Sequence, residues 1–240
     1  MLRAAFVALV SLFFVFSLGT PLVVYAAITG NTDPLYRVSH YCVGVVLRLA
    51  GVRLEVSGRE RVPSRRAVVF MPNHESNADA PAIFFCLPPV LVLGKEEFFR
   101  VPILGRAMRM RGFIPVDRQH RQRAIEAVEA AVGALGAGNS FLVFPEGTRS
   151  PDGRLQPFKK GPFIMALKAG APIVPVSLSG GRRIMRKGEA ALHPGRLRIT
   201  FHEPVVTENR SLEDREQVME EVRRAILSGL TPEEWPLAGE

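Results

Sequence analysis

The segment Pro72-Asn73-His74-Glu75-Ser76-Asn77-Ala78-Asp79 puts an imidazole and a carboxylate five residues apart, in a polar stretch directly after the apolar run Ala67–Met71. Imidazole titrates near neutral pH, so His74 can accept a proton from a reacting group. A carboxylate on its other ring nitrogen would fix the tautomer and stabilise the imidazolium. Asp79 can reach back to do this if His74 sits in a turn and Asp79 in the helical turn that follows. Taken alone, such a pair also describes a solvated loop or a helix cap.

Two later segments carry complementary chemistry. Gly112-Phe113-Ile114-Pro115-Val116-Asp117-Arg118 ends an apolar run on a carboxylate and a guanidinium, and Arg118 can hold a phosphate through two hydrogen bonds. The competing reading is a surface Asp-Arg pair. Phe144-Pro145-Glu146-Gly147-Thr148-Arg149-Ser150 sets a flexible glycine between an acid and a hydroxyl followed by an arginine, with Phe158-Lys159-Lys160-Gly161 close behind. Gly147 permits close backbone approach to a ligand, Arg149 suits a phosphate, and Glu146 can hydrogen-bond a polyol or an arginine. Turn chemistry alone also accounts for Pro145, Gly147 and Ser150.

The elements that must position these residues follow from periodicity. Val52–Val56 alternates, and short apolar runs recur at Ala67–Met71, Val90–Leu93, Phe113–Val116, Phe141–Phe144, Ile173–Leu178 and Leu197–Phe201, which read as strands. Helical patterns lie between them: Arg121–Leu135, with Ile125, Val128, Val132 and Leu135 on one face, Gly161–Lys168, and Ser211–Leu227 behind a cap-like Ser211-to-Asp214 spacing. Strands alternating with helices predict an α/β fold, a largely parallel mixed sheet flanked by helices. In such sheets polar segments at strand ends can meet at one edge.

Before this domain, Ala4–Thr32 contains no charged residue and exceeds the roughly 20 apolar residues that cross a bilayer, so an N-terminal membrane-associated helical segment is expected. Arg3 and the small residues at Val24-Tyr25-Ala26 leave a cleaved signal peptide as the alternative. Gly19-Thr20-Pro21 can bend the helix, giving either a kinked span or a re-entrant hairpin. Leu35, Val38, Cys42, Val45, Val46 and Leu49 then share one helical face, opposite Arg37, His40, Gly44 and Arg48, so this helix either packs on the domain core or lies at a lipid interface. The expected organisation is 1–50 for the membrane segment and amphipathic helix, 51–230 for the α/β domain, and an irregular tail at 231–240.

Composition narrows the function classes. The 240 residues, 47% apolar, can build one substantial core, and 31 Lys+Arg against 23 Asp+Glu give a net charge of +8, which favours an anionic partner. The basic residues are scattered, apart from a cluster at Arg182, Arg183, Arg186 and Lys187, which argues against nucleic acid. Cys42 and Cys86 sit in apolar patterns, so neither a disulfide framework nor a reactive thiolate is expected. The five histidines have no metal-ligand spacing, and no Gly-x-Ser-x-Gly elbow occurs.

The segments NHESNAD, GFIPVDR, FPEGTRS and Ile173-Val174-Pro175-Val176 resemble, in order, the motif blocks of the glycerolipid acyltransferase family, and the bacterial-type members that acylate lysophosphatidic acid in particular. Likeness extends to Gly94-Lys95-Glu96-Glu97, Val101–Gly105 and Phe158-Lys159-Lys160-Gly161, spanning roughly Asn73 to Val176. The resemblance implies a membrane-held enzyme of phospholipid biosynthesis, catalytic domain facing the cytoplasm, moving an acyl group from acyl-CoA or acyl carrier protein to the sn-2 hydroxyl of a lysophospholipid. It implies no metal or prosthetic cofactor. By matching position His74 is the base and Asp79 its partner, while Arg118, Glu146, Gly147, Thr148 and Arg149 bind the acceptor. Lys95, Lys160 and Pro175 would shape the acyl or acceptor pocket. Glu75 stands where many relatives carry Gln. Another lysolipid, or glycerol-3-phosphate, is the alternative acceptor. A noncatalytic module that holds anionic membrane is the alternative of a different class.

Overall fold

The computed structural model describes residues 2–117, 119–189 and 191–237. Helix α1 (Leu2–Phe13) continues through a π-helical stretch, Phe14–Gly19, into α2 (Thr20–Thr29), so that Arg3–Thr29 forms one apolar helix of 27 residues. The widened turn directly precedes Pro21, whose missing N–H and ring disturb the carbonyls one turn upstream. A left-handed Gly30 ends α2, and the chain reverses into α3 (Asp33–Ala50), which has Pro34 in its first turn and left-handed Gly51 as its stop.

The expected division of α3 into apolar and polar faces is incomplete. Gly44, assigned to the polar side, is buried, and a Cβ there would lie 2.6 Å from Cε2 of Phe85. His40 likewise packs its ring 4.9 Å from that of Phe85. Helix α3 is thus covered on two sides, by the N-terminal helix and by the domain. An imidazole and a glycine can face a core when aromatic rings fill the space.

The domain then follows as β1 (Val52–Ser57), β2 (Val69–Pro72), α4 (Asp79–Cys86), β3 (Leu91–Lys95), α5 (Glu96–Phe99), α6 (Leu104–Met110), β4 (Ile114–Val116), α7 (Arg121–Gly136), β5 (Phe141–Leu142), α8 (Lys160–Ala169), β6 (Ile173–Ser179), α9 (Gly181–Ile184), β7 (Gly195–Phe201) and α10 (Arg215–Ser228). The strands form one sheet in the order β1-β7-β6-β2-β5-β3-β4, parallel throughout except between β6 and β7. The fold is therefore α/β with a mostly parallel sheet flanked by helices.

Every residue of β2 and of β6 is buried, as expected for central strands covered on both faces. The pleat divides them. Phe70, Val174, Val176 and Leu178 join Leu47, Ala82 and Ile83 in a core beneath α3 and α4. Val69, Met71 and Ile173 join Ala131, Phe163, Val218 and Val222 in a second core beneath α7, α8 and α10. On α7 the buried line is Ala127, Ala131 and Leu135, with Val128 and Val132 beside it, while Ile125 is 44% exposed. The face sits one position away from the expected one because small alanines let α7 approach α8.

The described part of the tail, 231–237, holds a regular turn within the segment expected to be irregular. Pro232–Glu234 forms a 3-10 turn, and Glu234 Oε2 accepts the Thr231 N–H at 2.8 Å.

Candidate active site

In the sheet order β6, β2 and β5 are adjacent and parallel, so their carboxyl ends open side by side. The chain leaving β2 is fixed first by Asn73, whose amide donates to Leu178 O at 2.8 Å and whose Oδ1 accepts from Leu178 N at 2.7 Å. This side chain extends the ladder to β6 where the β2 backbone turns away. His74 follows in the turn, and Asp79 opens α4.

The backbone folds back as the five-residue spacing requires. His74 Nδ1 lies 3.0 Å from Asp79 Oδ2, and the same oxygen accepts the N–H groups of Glu75 at 2.8 Å and Ser76 at 2.7 Å. Asp79 is fully buried, so its carboxylate orientation is set by these donors. With Nδ1–H donated to Asp79, Nε2 carries the free lone pair that a general base needs. Phe144, two residues past the end of β5, supports the ring, its centroid 4.0 Å from that of His74 at an interplanar angle of 28°.

The segment after β5 is laced to the same turn. Glu146 is 2% exposed; one carboxylate oxygen accepts the His74 N–H and the other accepts the Gln156 N–H at 3.0 Å. Ser150 N–H returns a hydrogen bond to His74 O at 2.7 Å. Burial pushes the Glu146 carboxyl up to about 8, against the pull of those two backbone donors. Glu146, expected among the acceptor-binding residues, is buried here and braces the His74 backbone against the Gln156 segment. Gly147, at φ +72°, makes the turn beside it, and a Cβ there would meet Lys159 Cγ at 3.1 Å. Thr148 is exposed. Arg149 is half-buried, with a buried Nη1 that has no hydrogen-bond partner among the described residues, and its carbonyl accepts from Lys187 Nζ at 2.9 Å.

A third contributor is the glycine turn after β6, which the sequence did not flag. Gly181 N–H donates to Glu75 Oε1 at 2.7 Å, and Gly180 N–H donates to Glu234 Oε1 at 3.0 Å. A Cβ on Gly181 would come 2.4 Å from Asp79 Oδ1, so only glycine fits against the dyad. Glu75 is also buried; desolvation first, then the charges of Asp79 and Glu234, raise its carboxyl to about 9. Asp79 Oδ1 has no hydrogen-bond partner among the described residues.

Arg118 falls outside the described residues. Strand β4, in the described part of the second motif, is at the sheet edge, separated from β2 by β5 and β3, so that part does not adjoin the first motif as the third does. Asp117 folds onto the turn that precedes α7, accepting from Gln119 N at 2.9 Å and pairing with His120 Nδ1 at 2.6 Å. Lys95 pairs with Glu97 at 2.8 Å and Lys160 with Glu216 at 3.5 Å, both in the open. Pro175 is buried within β6, opposite Met71.

Beside the dyad lies an apolar cavity of about 420 Å³. Asn77, Ala78 and Pro81 form its edge nearest the dyad, and Phe14, Cys42 and Val46 are among the residues of the N-terminal hairpin that enclose it. Its size and lining suit a hydrocarbon chain. Ile103 also lines it, in the sparsely populated conformation φ 63°, ψ −60°, with Leu104 N–H bonded to Pro102 O at 2.6 Å. The π-helical turn and this tight turn thus pack against each other in the cavity wall, since a Cβ on Gly19 would contact Ile103 Cγ2 at 3.4 Å.

Comparison with known proteins places this arrangement. The chain is 36% identical over 155 residues to a chloroplastic 1-acyl-sn-glycerol-3-phosphate acyltransferase of Brassica napus, covering 64% of this chain and 45% of that protein. It is 33% identical over 183 residues to one of Chlamydomonas reinhardtii, covering 75% and 54%. The chain thus spans about half the length of these curated relatives. The crystal structure of the 1-acyl-sn-glycerophosphate (LPA) acyltransferase PlsC from Thermotoga maritima superposes with a TM-score of 0.81 at 27% identity, covering 95% of this chain and 94% of that one. The family model described as Acyltransferase matches residues 53–179, which include the His74–Asp79 pair, Glu146 and Arg149, and the chain accordingly belongs to the acyltransferase family.

Proposed function

We propose that this protein acylates the sn-2 hydroxyl of lysophosphatidic acid, giving phosphatidic acid, with His74 as general base. The observation that carries this reading is the Nδ1–Oδ2 contact of 3.0 Å between His74 and a fully buried Asp79, beside an apolar cavity. The relatives named as 1-acyl-sn-glycerol-3-phosphate acyltransferases supply the acceptor class.

In the proposed reaction the acceptor hydroxyl oxygen attacks the carbonyl carbon of an acyl thioester while its proton passes to His74 Nε2. The C–S bond of the tetrahedral intermediate then breaks, and the imidazolium returns the proton to the leaving thiolate. Asp79 stabilises the charged ring between these steps. The donor is acyl-CoA or acyl carrier protein, and the chemistry needs no metal or prosthetic group. Arg149, whose Nη1 is unpartnered among the described residues, receives the acceptor phosphate, with Arg118 as a second ligand. The acyl chain lies in the cavity under the N-terminal hairpin.

Residues 1–50 anchor the enzyme, 51–230 form the catalytic domain and 231–240 the tail, whose Glu234 braces the glycine turn. The packing of α1 and α2 along α3 favours an anchor lying in one leaflet over a span, with the catalytic domain on the cytoplasmic side where both thioester donors occur.

The test is acyl transfer from labelled acyl-CoA or acyl carrier protein to a panel of lysophosphatidic acid, other lysophospholipids and glycerol-3-phosphate. Lysophosphatidic acid should be preferred, and His74→Ala should abolish turnover with membrane association retained. Preference for another acceptor changes the substrate; near-normal turnover of His74→Ala removes the mechanism.

A further inference from the structure

At the base of the N-terminal hairpin, outside the catalytic motifs, Arg3, Arg48, Arg53 and Arg196 surround a cleft of about 610 Å³. The gathering is built in several ways. Arg3 Nε donates to Leu49 O at 2.8 Å, which pins the first turn of the apolar helix to the last turn of α3. The left-handed Gly51 leaves the space this needs, since a Cβ there would lie 2.5 Å from Arg3 Nη2. Arg53 and Arg196 face each other as register partners on the parallel strands β1 and β7. Like charges directly opposite on paired strands repel, so this pairing calls for a counter-charge.

The protein supplies little of it. Glu55 pairs with Arg196 at 3.4 Å, and none of the other three arginines has a carboxylate within ion-pair reach among the described residues. The Nη groups of Arg3 and the whole guanidiniums of Arg48 and Arg53 have no hydrogen-bond acceptor there either. All four arginines are exposed. Planar guanidiniums with free forks are suited to a tetrahedral oxyanion.

The surroundings indicate where that anion comes from. One turn beyond Arg3 the outward face of the helix becomes apolar and open, with Phe6 53%, Leu9 65%, Phe13 61% and Phe16 62% exposed. A phosphate held by the arginines has its hydrocarbon neighbours along this face. We propose that the cleft formed by Arg3, Arg48, Arg53 and Arg196 binds the headgroup phosphate of an anionic phospholipid, holding the hairpin base at the lipid surface separately from the catalytic centre.

This proposal rests on the membrane reading above, and vesicle partition of the full chain tests both. Vesicles are prepared from phosphatidylcholine alone or with one fifth phosphatidylglycerol. Arg48→Gln/Arg53→Gln leaves the Arg3–Leu49 clamp and the Arg196–Glu55 pair in place, and Arg121→Gln/Arg224→Gln on α7 and α10 is the charge-matched control. At roughly fivefold per arginine near an anionic surface, the first variant should bind the phosphatidylglycerol vesicles at least tenfold more weakly. It should bind the neutral ones within about twofold of the parent, and the control should keep the anionic preference. Arg53→Gln alone should show the same effect, smaller. Equal loss in the control, or an unchanged preference in Arg48→Gln/Arg53→Gln, overturns the site. Displacement by inorganic phosphate beyond that by sodium chloride of equal ionic strength assigns the cleft to a free anion and overturns the lipid. Failure of the parent to bind either vesicle overturns the membrane reading and this proposal with it.

Discussion

The Phe144 ring lies against the imidazole of His74, centroids 4.0 Å apart and 28° from parallel. It comes from a different strand end than the histidine it supports, so it couples two motifs mechanically. Such a pair contributes about 1 kcal/mol beyond area burial, enough to hold one ring orientation in preference to others. Phe144→Ala should therefore lower kcat roughly five- to tenfold with little change in either KM, and Phe144→Tyr should restore most of it. Steady-state rates decide the matter: an unaltered kcat in Phe144→Ala would deny the ring a positioning role.

Glu75 and Asp79 place two buried carboxyls against Gly181. Desolvation, then Asp79 and Glu234, raise Glu75 to about 9, so at neutral pH it is a protonated acid whose Oε1 accepts from Gly181. A glutamine has the same shape and keeps that acceptor. Glu75→Gln should retain turnover within a few-fold. The sign of the pH effect follows from the raised folded value. Stability linked to Glu75 is complete below the ordinary glutamate range and is lost as pH rises toward 9. Melting temperatures between pH 6 and 9 should fall less for Glu75→Gln than for the parent, and parallel declines would refute the assignment.

Arg149 combines a buried Nη1 that has no partner among the described residues with a carbonyl tethered by Lys187. If the guanidinium takes the acceptor phosphate, Arg149→Ala should raise KM for lysophosphatidic acid by about tenfold or more, since charge-assisted bonds are among the stronger ones. KM for the thioester should stay level. Lys187→Ala should move the same constant a few-fold by loosening the tether. Kinetics in mixed micelles separate the two substrates, and equal rises in both constants would mean a general loss of the fold.

The sheet was legible because its strands are short unbroken apolar runs, and each expected run became a strand within a few residues of its predicted bounds. His74 and Asp79 were legible because their distance in sequence is short enough for one turn to close. What escaped depends on long-range contact. Glu146 carries the same letters whether it meets an acceptor or two backbone N–H groups. Gly180 and Gly181 show their purpose only when Glu75, Asp79 and Glu234 arrive from three other segments. The α7 face was misplaced by one position because alanines, weak in hydropathy, made the closest packing.

His202 and Ser177 form a buried pair separate from the dyad, Nε2 to Oγ 2.7 Å, and the serine hydroxyl also donates to Ile226 O at 2.6 Å. Since Ser177 spends its proton on the α10 carbonyl, the imidazole must donate to the hydroxyl through Nε2–H. The pair therefore ties β6, the end of β7 and α10 together. Burial first, and the Arg61 charge second, lower His202 to about 4, so the folded protein keeps this ring neutral. The unfolded chain takes up a proton near pH 6.5, which the folded chain refuses until about pH 4. The stability that depends on this ring is accordingly present above pH 6.5 and drains away as pH falls to 4, by about 3 kcal/mol at most. Replacement by glutamine, which can still donate to Ser177, removes the titration. His202→Gln should be somewhat less stable than the parent at pH 7.5 and lose less on acidification to pH 5, as read by melting in detergent. Taking the difference between the two proteins cancels Glu75 and Glu146, whose raised values act in the opposite direction over that range. Equal acid sensitivity in both would show that His202 titrates normally and that its burial is incomplete in solution.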